Sequence, residues 1–160
     1  MSSDPTNDPI SSPVTLLLAE FVPFRLNRLA DAVSRNLSEI YRHRFGLEIP
    51  EWRVLVTVGQ SHDCTAQHIA ASTRMHKTRV SRAVASLEQR KLIERAASSA
   101  DGREMRLHLT RAGKRVYLAL VPLALERERE LLSCLGYTQR QNFVEALARL
   151  EESLELNADE

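Results

Sequence analysis

The sequence predicts a mainly α protein with one small β element of two to three strands. Apolar residues recur at spacings of three and four along most of the chain, and the period switches to two only around residues 93–109. Gly and Pro punctuate the segments between, where helices have to end. With 160 residues the chain is long enough for one compact core and short for two.

Residues 1–13 hold three of the six prolines among Ser, Asp and Asn, and read as a flexible arm ahead of a single unit over 14–160. From Val14 to about Phe45 the stripe Leu26, Leu29, Val33, Leu37 and Ile40 predicts one long helix, with Pro23 in a first turn or at a kink. Gly46 ends it, and Pro50 starts a second helix carrying Trp52, Leu55 and Val56, followed by a loop from Gly59 to Asp63. Thr65 is placed to cap a short helix, Ala66 to Ser72, with Ile69 and Ala70 toward the core and a turn at Thr73 to Met75. The next helix, about His76 to Arg90, buries Val80, Val84 and Leu87 and leaves Lys77, Thr78, Ser81, Arg82 and Ala85 opposite. Ile93 to Ala96 and Met105 to Leu109 alternate as two strands, with Asp101-Gly102 marking the turn between them. Thr110 caps a long helix reaching toward Leu135, bent at Pro122, and Thr138 caps a last one carrying Phe143, Leu147, Leu150 and Leu154.

A formal net charge of +1 conceals an uneven distribution. Residues 74–106 carry nine Lys/Arg against four acids, while 151–160 carry five acids and no base, so the middle of the chain is a candidate phosphate-binding surface. No apolar run approaches the roughly 18 residues that span a bilayer, and the first residues lack the basic and hydrophobic regions of a signal peptide, so a cytoplasmic protein with no membrane partner is expected. Cys64 and Cys134 form no CxxC pair. No GxSxG, HExxH, paired-carboxylate or phosphate-cradling glycine motif is present, which argues against an enzyme; Glu126 to Glu130 alternates in sign as a solvated helix surface does.

Two helices joined by a tight turn and followed by a basic hairpin meet the physical requirements for reading duplex DNA. The second helix fits a major groove about 12 Å wide, and Lys77, Thr78, Ser81 and Arg82 share its outer face, Arg82 being the candidate for a guanine contact. A protruding Arg103 suits the narrow, electronegative minor groove, with Asp101 able to hold it extended. The residues by themselves leave open a plain solvated basic helix beside a surface hairpin.

Taken in order, five stretches shift that balance: Thr65-Ala66-Gln67-His68-Ile69-Ala70, Lys77 through Val84, Leu87 through Arg95, Asp101-Gly102-Arg103, and Leu109 through Gly113. Together they resemble the MarR regulators over about Phe21 to Leu154. The resemblance implies a winged helix-turn-helix over 50–110 that binds double-stranded DNA through Thr65, Arg74, Lys77, Thr78, Arg79, Ser81 and Arg82, with Arg103 at the wing tip supported by Asp101. The apolar stripes over 14–48 and 111–156 exceed what the DNA-binding lobe can cover, so they are expected to form a homodimer. A two-fold dimer sets the reading helices about one DNA turn, roughly 34 Å, apart, over an inverted repeat. One departure is Lys91, where similar proteins often have a left-handed glycine; the helix is therefore expected either to end differently or to carry a cost on the order of 1 kcal/mol.

Regulators of this kind commonly release DNA when a small, often aromatic and anionic, ligand enters a crevice beside the dimerisation helices, most often acting as repressors. Phe21 to Leu29 with Phe45 to Arg53 resembles members governing aromatic acid breakdown, which implies a small-molecule effector, an aromatic carboxylate or a hydroxycinnamoyl-CoA, and no built-in cofactor. Arg25 or Arg28 would pair with its anionic group, Phe24 and Trp52 would sandwich its ring, and Arg53 adjoins them. Two alternatives stay open. Cys64, ahead of a helix, can have its pKa lowered and act as a redox switch, although peroxide-sensing relatives carry their cysteine near the start of the first long helix, where this chain has none. His62, Cys64 and His68 can offer three ligands to a metal such as zinc.

Overall fold

The computed structural model of the chain describes residues 15–61, 64–97 and 105–156, so the arm expected at 1–13 lies outside the described residues. Two compact units divide the chain, Met1–Val33 and Ser34–Glu160.

In the first unit a turn closed by Glu20 N donating to Leu17 O (2.9 Å) leads into α1 (Val22–Phe45), whose residues as far as Val33 belong here. A helix was expected from Val14, and it starts instead at Val22. Pro23 has no N–H to give the residue four before it, which costs nothing in a first turn, and the helix begins beside it. Leu26 and Leu29 are exposed.

In the second unit α1 ends at Phe45, and Gly46 adopts φ 60 while Leu47 N reaches back to Tyr41 O (3.0 Å). Helix α2 (Ile49–Gln60) follows, with Pro50 in its first turn. It includes Gly59 and Gln60, where a loop was expected. Gly59 is there for close packing: a Cβ on it would lie 2.5 Å from the Tyr117 ring. Thr65 Oγ1 accepts from His68 N (3.1 Å) and caps α3 (Ala66–Thr73), which a left-handed Arg74 (φ 53) separates from α4 (Lys77–Gln89). Strands β1 (Ile93–Ala97) and β2 (Met105–Leu109) pair antiparallel, Ile93 opposite Leu109, and Leu107 also bridges Cys64, which supplies the fragment of a third strand. Helix α5 (Arg111–Leu131), with Pro122 inside it, a 3-10 turn (Leu132–Cys134) and α6 (Tyr137–Ser153) complete the order. Helix α6 begins one residue before the Thr138 expected to cap it; its entry is closed by Gly136 N donating to Gln139 Oε1 (3.0 Å).

The core gathers Leu47, Val54, Leu55 and Val58 with Ile69 of α3, Val80, Val84 and Leu87 of α4, Leu107 of β2 and Leu120 of α5, each at most 4% exposed. Burial of this kind contributes roughly 1.5–3 kcal/mol per large side chain. Where α4 ends, Lys91 N donates to Glu88 O (2.8 Å) and Leu92 N to Leu87 O (2.9 Å), a left-handed termination that places Lys91 at φ 55. The helix therefore does not end differently to suit lysine; lysine takes the conformation that favours glycine. Immediately beyond, Thr110 N donates to Leu92 O (3.1 Å), Thr110 Oγ1 donates to Lys91 O (2.7 Å) and accepts from Gly113 N (3.0 Å). Gly113 lies so close that a Cβ there would fall 1.8 Å from Leu92 O.

Substituting Lys91→Gly should stabilise the chain by about 1 kcal/mol, since it removes the left-handed penalty and leaves the termination in place. Gly113→Ala should cost about 3 kcal/mol or more, because the obstructing atom is backbone and cannot rotate aside. Urea unfolding midpoints at equal protein concentration check both.

Candidate nucleic-acid interface

Helix α4 is built to be held from one side. Val80, Ala83, Val84 and Leu87 are buried, while Lys77, Thr78, Arg79, Ser81, Arg82 and Ala85 are exposed. Its first turn is capped by His76, whose Nδ1 accepts from Thr78 N (3.3 Å). Among the described residues no carboxylate pairs with Lys77, Arg79 or Arg82. Three cations on one uncompensated surface give a local positive potential that the net charge hides.

The other sequence-predicted contacts fall around this helix in different states. Thr65 is half-buried, with its hydroxyl engaged in capping α3. Arg74 stands exposed in the turn before α4 and its Nη2 donates to Glu155 O (3.0 Å). Asp101 and Arg103 lie outside the described residues; the strands that frame them are tied to α4 by Arg95 Nε of β1 on Glu88 Oε1 (2.9 Å).

Four residues that fix α4 escaped the sequence reading. Glu51, 9% exposed, accepts from Ser86 Oγ through Oε1 and from Glu48 N (2.7 Å) through Oε2. Arg90 Nη1 stands 3.8 Å from that carboxylate and donates to Gly46 O (2.9 Å), and Nη2 donates to Phe45 O (2.6 Å). His76 is an uncommon cap and Glu51 has the pattern of an ordinary first-turn acid. Only the three-dimensional neighbourhood distinguishes them.

The residues expected to hold an effector fall in both units. In the first, the Arg28 guanidinium sits over the Phe24 ring (5.7 Å), and Arg25 and Arg28 line an open groove of about 470 Å³ with Val22, Leu26 and Leu29. In the second, Trp52 is stacked on Tyr41, their centroids 5.5 Å apart and planes 10° apart. Burial pushes the Tyr41 phenol above its usual range, against a smaller opposing pull from Arg53, which is half-buried on α2.

Cys64 is fully buried, and that burial pushes its thiol up to about 11, the reverse of the lowering expected from a position ahead of a helix. Its Sγ faces Thr65 O (3.9 Å), and among the described residues no cation favours a thiolate. Cys134 is exposed. Of the trio proposed for a metal, His62 lies outside the described residues, and among the described residues no group of three His, Cys, Asp or Glu is placed to hold an ion. No helix among the described residues is long and apolar enough to cross a membrane.

Residues 45–104, from the last residue of α1 to the segment between the strands, match the MarR family model. No curated protein matches the chain. Among solved structures, a MarR/EmrR family transcriptional regulator from Acinetobacter sp. ADP1 superposes with a TM-score of 0.79 at 28% identity, over 88% of this chain and 99% of that one. BpsR of Bordetella bronchiseptica, whose DNA binding is regulated by 6-hydroxynicotinic acid, superposes with a TM-score of 0.77 at 20% identity, over 86% of this chain and 98% of its own. CouR from Rhodococcus jostii RHA1, bound to p-coumaroyl-CoA, gives 0.75 at 18%, over 85% and 95%. At these last two identities the likeness is one of fold.

At pH 8 a thiol near 11 is ionised in about one molecule in a thousand. Native chain treated with iodoacetamide should therefore leave Cys64 unlabelled until denaturant is added, with its reactivity rising only as pH approaches 11. Peptide mass mapping of the two cysteines reads the result.

Proposed function

From the premise that the chain carries a MarR-family winged helix and is of the transcriptional-regulator type, we propose that it is a ligand-responsive repressor. It holds an inverted-repeat operator as a homodimer and lets go when a small aromatic acid or its CoA thioester binds. The observation that carries this reading is the outer face of α4: Lys77, Thr78, Arg79, Ser81 and Arg82 are exposed together and unpaired by any described carboxylate. Short hydroxyls and an arginine can meet base edges while the remaining cations meet phosphates, which separates specificity from affinity on one helix. Arg103, supported by Asp101, enters the adjoining minor groove in this reading.

The homodimer is supported by apolar surface within each unit. Leu26 and Leu29 are exposed in the first; in the second so are Leu118 (60%), Leu125, Tyr137 (78%), Val144, Leu150 and Leu154 (67%), and α6 buries no residue at all. So much apolar surface on helices outside 50–110 is what a partner's equivalent helices would cover. The effector is supported by two fold relatives, one solved with p-coumaroyl-CoA and one regulated by 6-hydroxynicotinic acid, and by the groove holding Arg25 and Arg28, a pair of guanidiniums matched to a carboxylate or phosphate. Phe24, whose ring lies under the Arg28 guanidinium, belongs with that pair. The work is binding without catalysis, in the cytoplasm, on DNA.

The test is footprinting on DNA flanking the chain's own gene, followed by affinity measurements on the protected duplex. Arg82→Ala should lose about 1–3 kcal/mol of specific affinity and relax one base position, and Arg103→Ala should weaken binding with the fold intact by circular dichroism. An aromatic acid or its thioester should lower affinity by a coupling of about 1–3 kcal/mol. A chain that gives no footprint and no salt-sensitive attraction to any duplex refutes the reading.

A further inference from the structure

The apolar contacts that bury Val80, Val84 and Leu87 hold α4 down but are not directional, so they define its roll less sharply than directed bonds do. Directed bonds flank the buried stripe on both sides. Ser86 and Arg90, four residues apart, lie along one flank at the edge of the stripe, and Glu88 lies along the other. On the first flank, Ser86 Oγ donates to the buried Glu51 carboxylate at the start of α2. Arg90 Nη1 stands beside that carboxylate (3.8 Å), and its two terminal nitrogens donate to the last carbonyls of the preceding turn, Phe45 O (2.6 Å) and Gly46 O (2.9 Å). On the second flank Glu88 takes Arg95 Nε (2.9 Å) from β1.

We infer that Glu51, Ser86 and Arg90 are positioning residues that set the roll of α4 against the α1–α2 corner, and thereby decide which base edges its outer face addresses. The polar groups of this trio are engaged within the protein. Glu51 is 9% exposed, Ser86 has its hydroxyl committed to Glu51, and the Arg90 fork is committed to two backbone carbonyls. A hydrogen bond loses its strength within a few tenths of an ångström and a few tens of degrees, so these bonds narrow the orientation that core packing sets. Because Phe45 and Gly46 close α1, a change in the direction of that helix end is passed to α4 through Arg90 as well as through the core residue Tyr41.

This rests on the reading of α4 as the DNA-reading helix, and the experiment separates the two. Two probes are used: a 30-base-pair duplex enriched from a random library by the wild-type chain, and a scrambled duplex of equal length and composition. Ser86→Ala, which removes no charge, should weaken binding to the enriched duplex about tenfold and to the scrambled one by less than about twofold, with helix content unchanged by circular dichroism. Arg90→Lys, which keeps the charge and loses the fork, should show the same split, and Ser86→Thr, which keeps the hydroxyl, should restore the preference. Equal losses on both duplexes, no change on either, or a Ser86→Ala chain that has lost its helix content would each overturn the positioning role. A wild-type chain that enriches no duplex overturns the DNA reading itself.

Discussion

A helix that is to read a groove can be held only from behind and at its ends, and the contacts of α4 meet that constraint. In the proposed reading its outer face stays bare for bases and phosphates, and the fixing contacts fall elsewhere. Val80, Ala83, Val84 and Leu87 anchor the back, His76 closes the first turn, and the left-handed Lys91 closes the last. The Leu92 carbonyl, one residue further, carries the join to α5: it accepts from Thr110 N and sits against the bare Cα of Gly113. The close approach at Gly113 and the one at Gly59 against Tyr117 bring α5 onto the reading lobe through two glycines: a Cβ at Gly113 would meet the Leu92 backbone, and one at Gly59 would require the Tyr117 ring to move.

The same constraint shapes the electrostatics. Lys77, Arg79 and Arg82 are left without described acidic partners, while cations away from the outer face are used internally: Arg90 on carbonyls of the α1–α2 corner, Arg95 on Glu88, Arg127 and Arg129 on acids of their own helix. Exposed pairs of the latter kind contribute little, at most about 1 kcal/mol each. Their larger effect is to keep positive charge from spreading over the whole surface, so that a molecule of net charge +1 still presents a concentrated cationic face.

Much of this was legible in the sequence because helical periodicity and helix punctuation are local signals. The buried stripe of α4, the Thr65 and Thr110 caps and the alternation that marks the two strands all arise within a few residues of the positions that encode them. What was not legible depended on residues distant in the chain. Gly59 reads as a breaker unless Tyr117 is known to lie on it, and Glu51 reads as a solvated first-turn acid unless Ser86 is known to face it. Cys64 invited a reactive reading from its place before α3, yet its backbone joins β2 at Leu107 and drives the side chain into the core, so desolvation outweighs any dipole at the helix start. Pro23 is compatible with a first turn or with a kink, as Pro122 inside α5 shows, so the apolar run from Val14 leaves the start of α1 open.

The helices outside the reading lobe show the opposite economy. Leu87, Leu55 and Ile69 are sealed inside the lobe, whereas Leu118, Leu154 and Tyr137 stand in the open. At roughly 25 cal/mol per Å² of apolar surface, leaving such side chains in water forfeits several kcal/mol that a small protein, stable by only about 5–15 kcal/mol, can ill spare. In the dimeric reading that deficit has a purpose. A folded lobe that is complete by itself reads one half-site, and helices that are incomplete by themselves force a second lobe alongside it. Binding free energy then depends on the distance between lobes, which a ligand among those helices can change without touching α4.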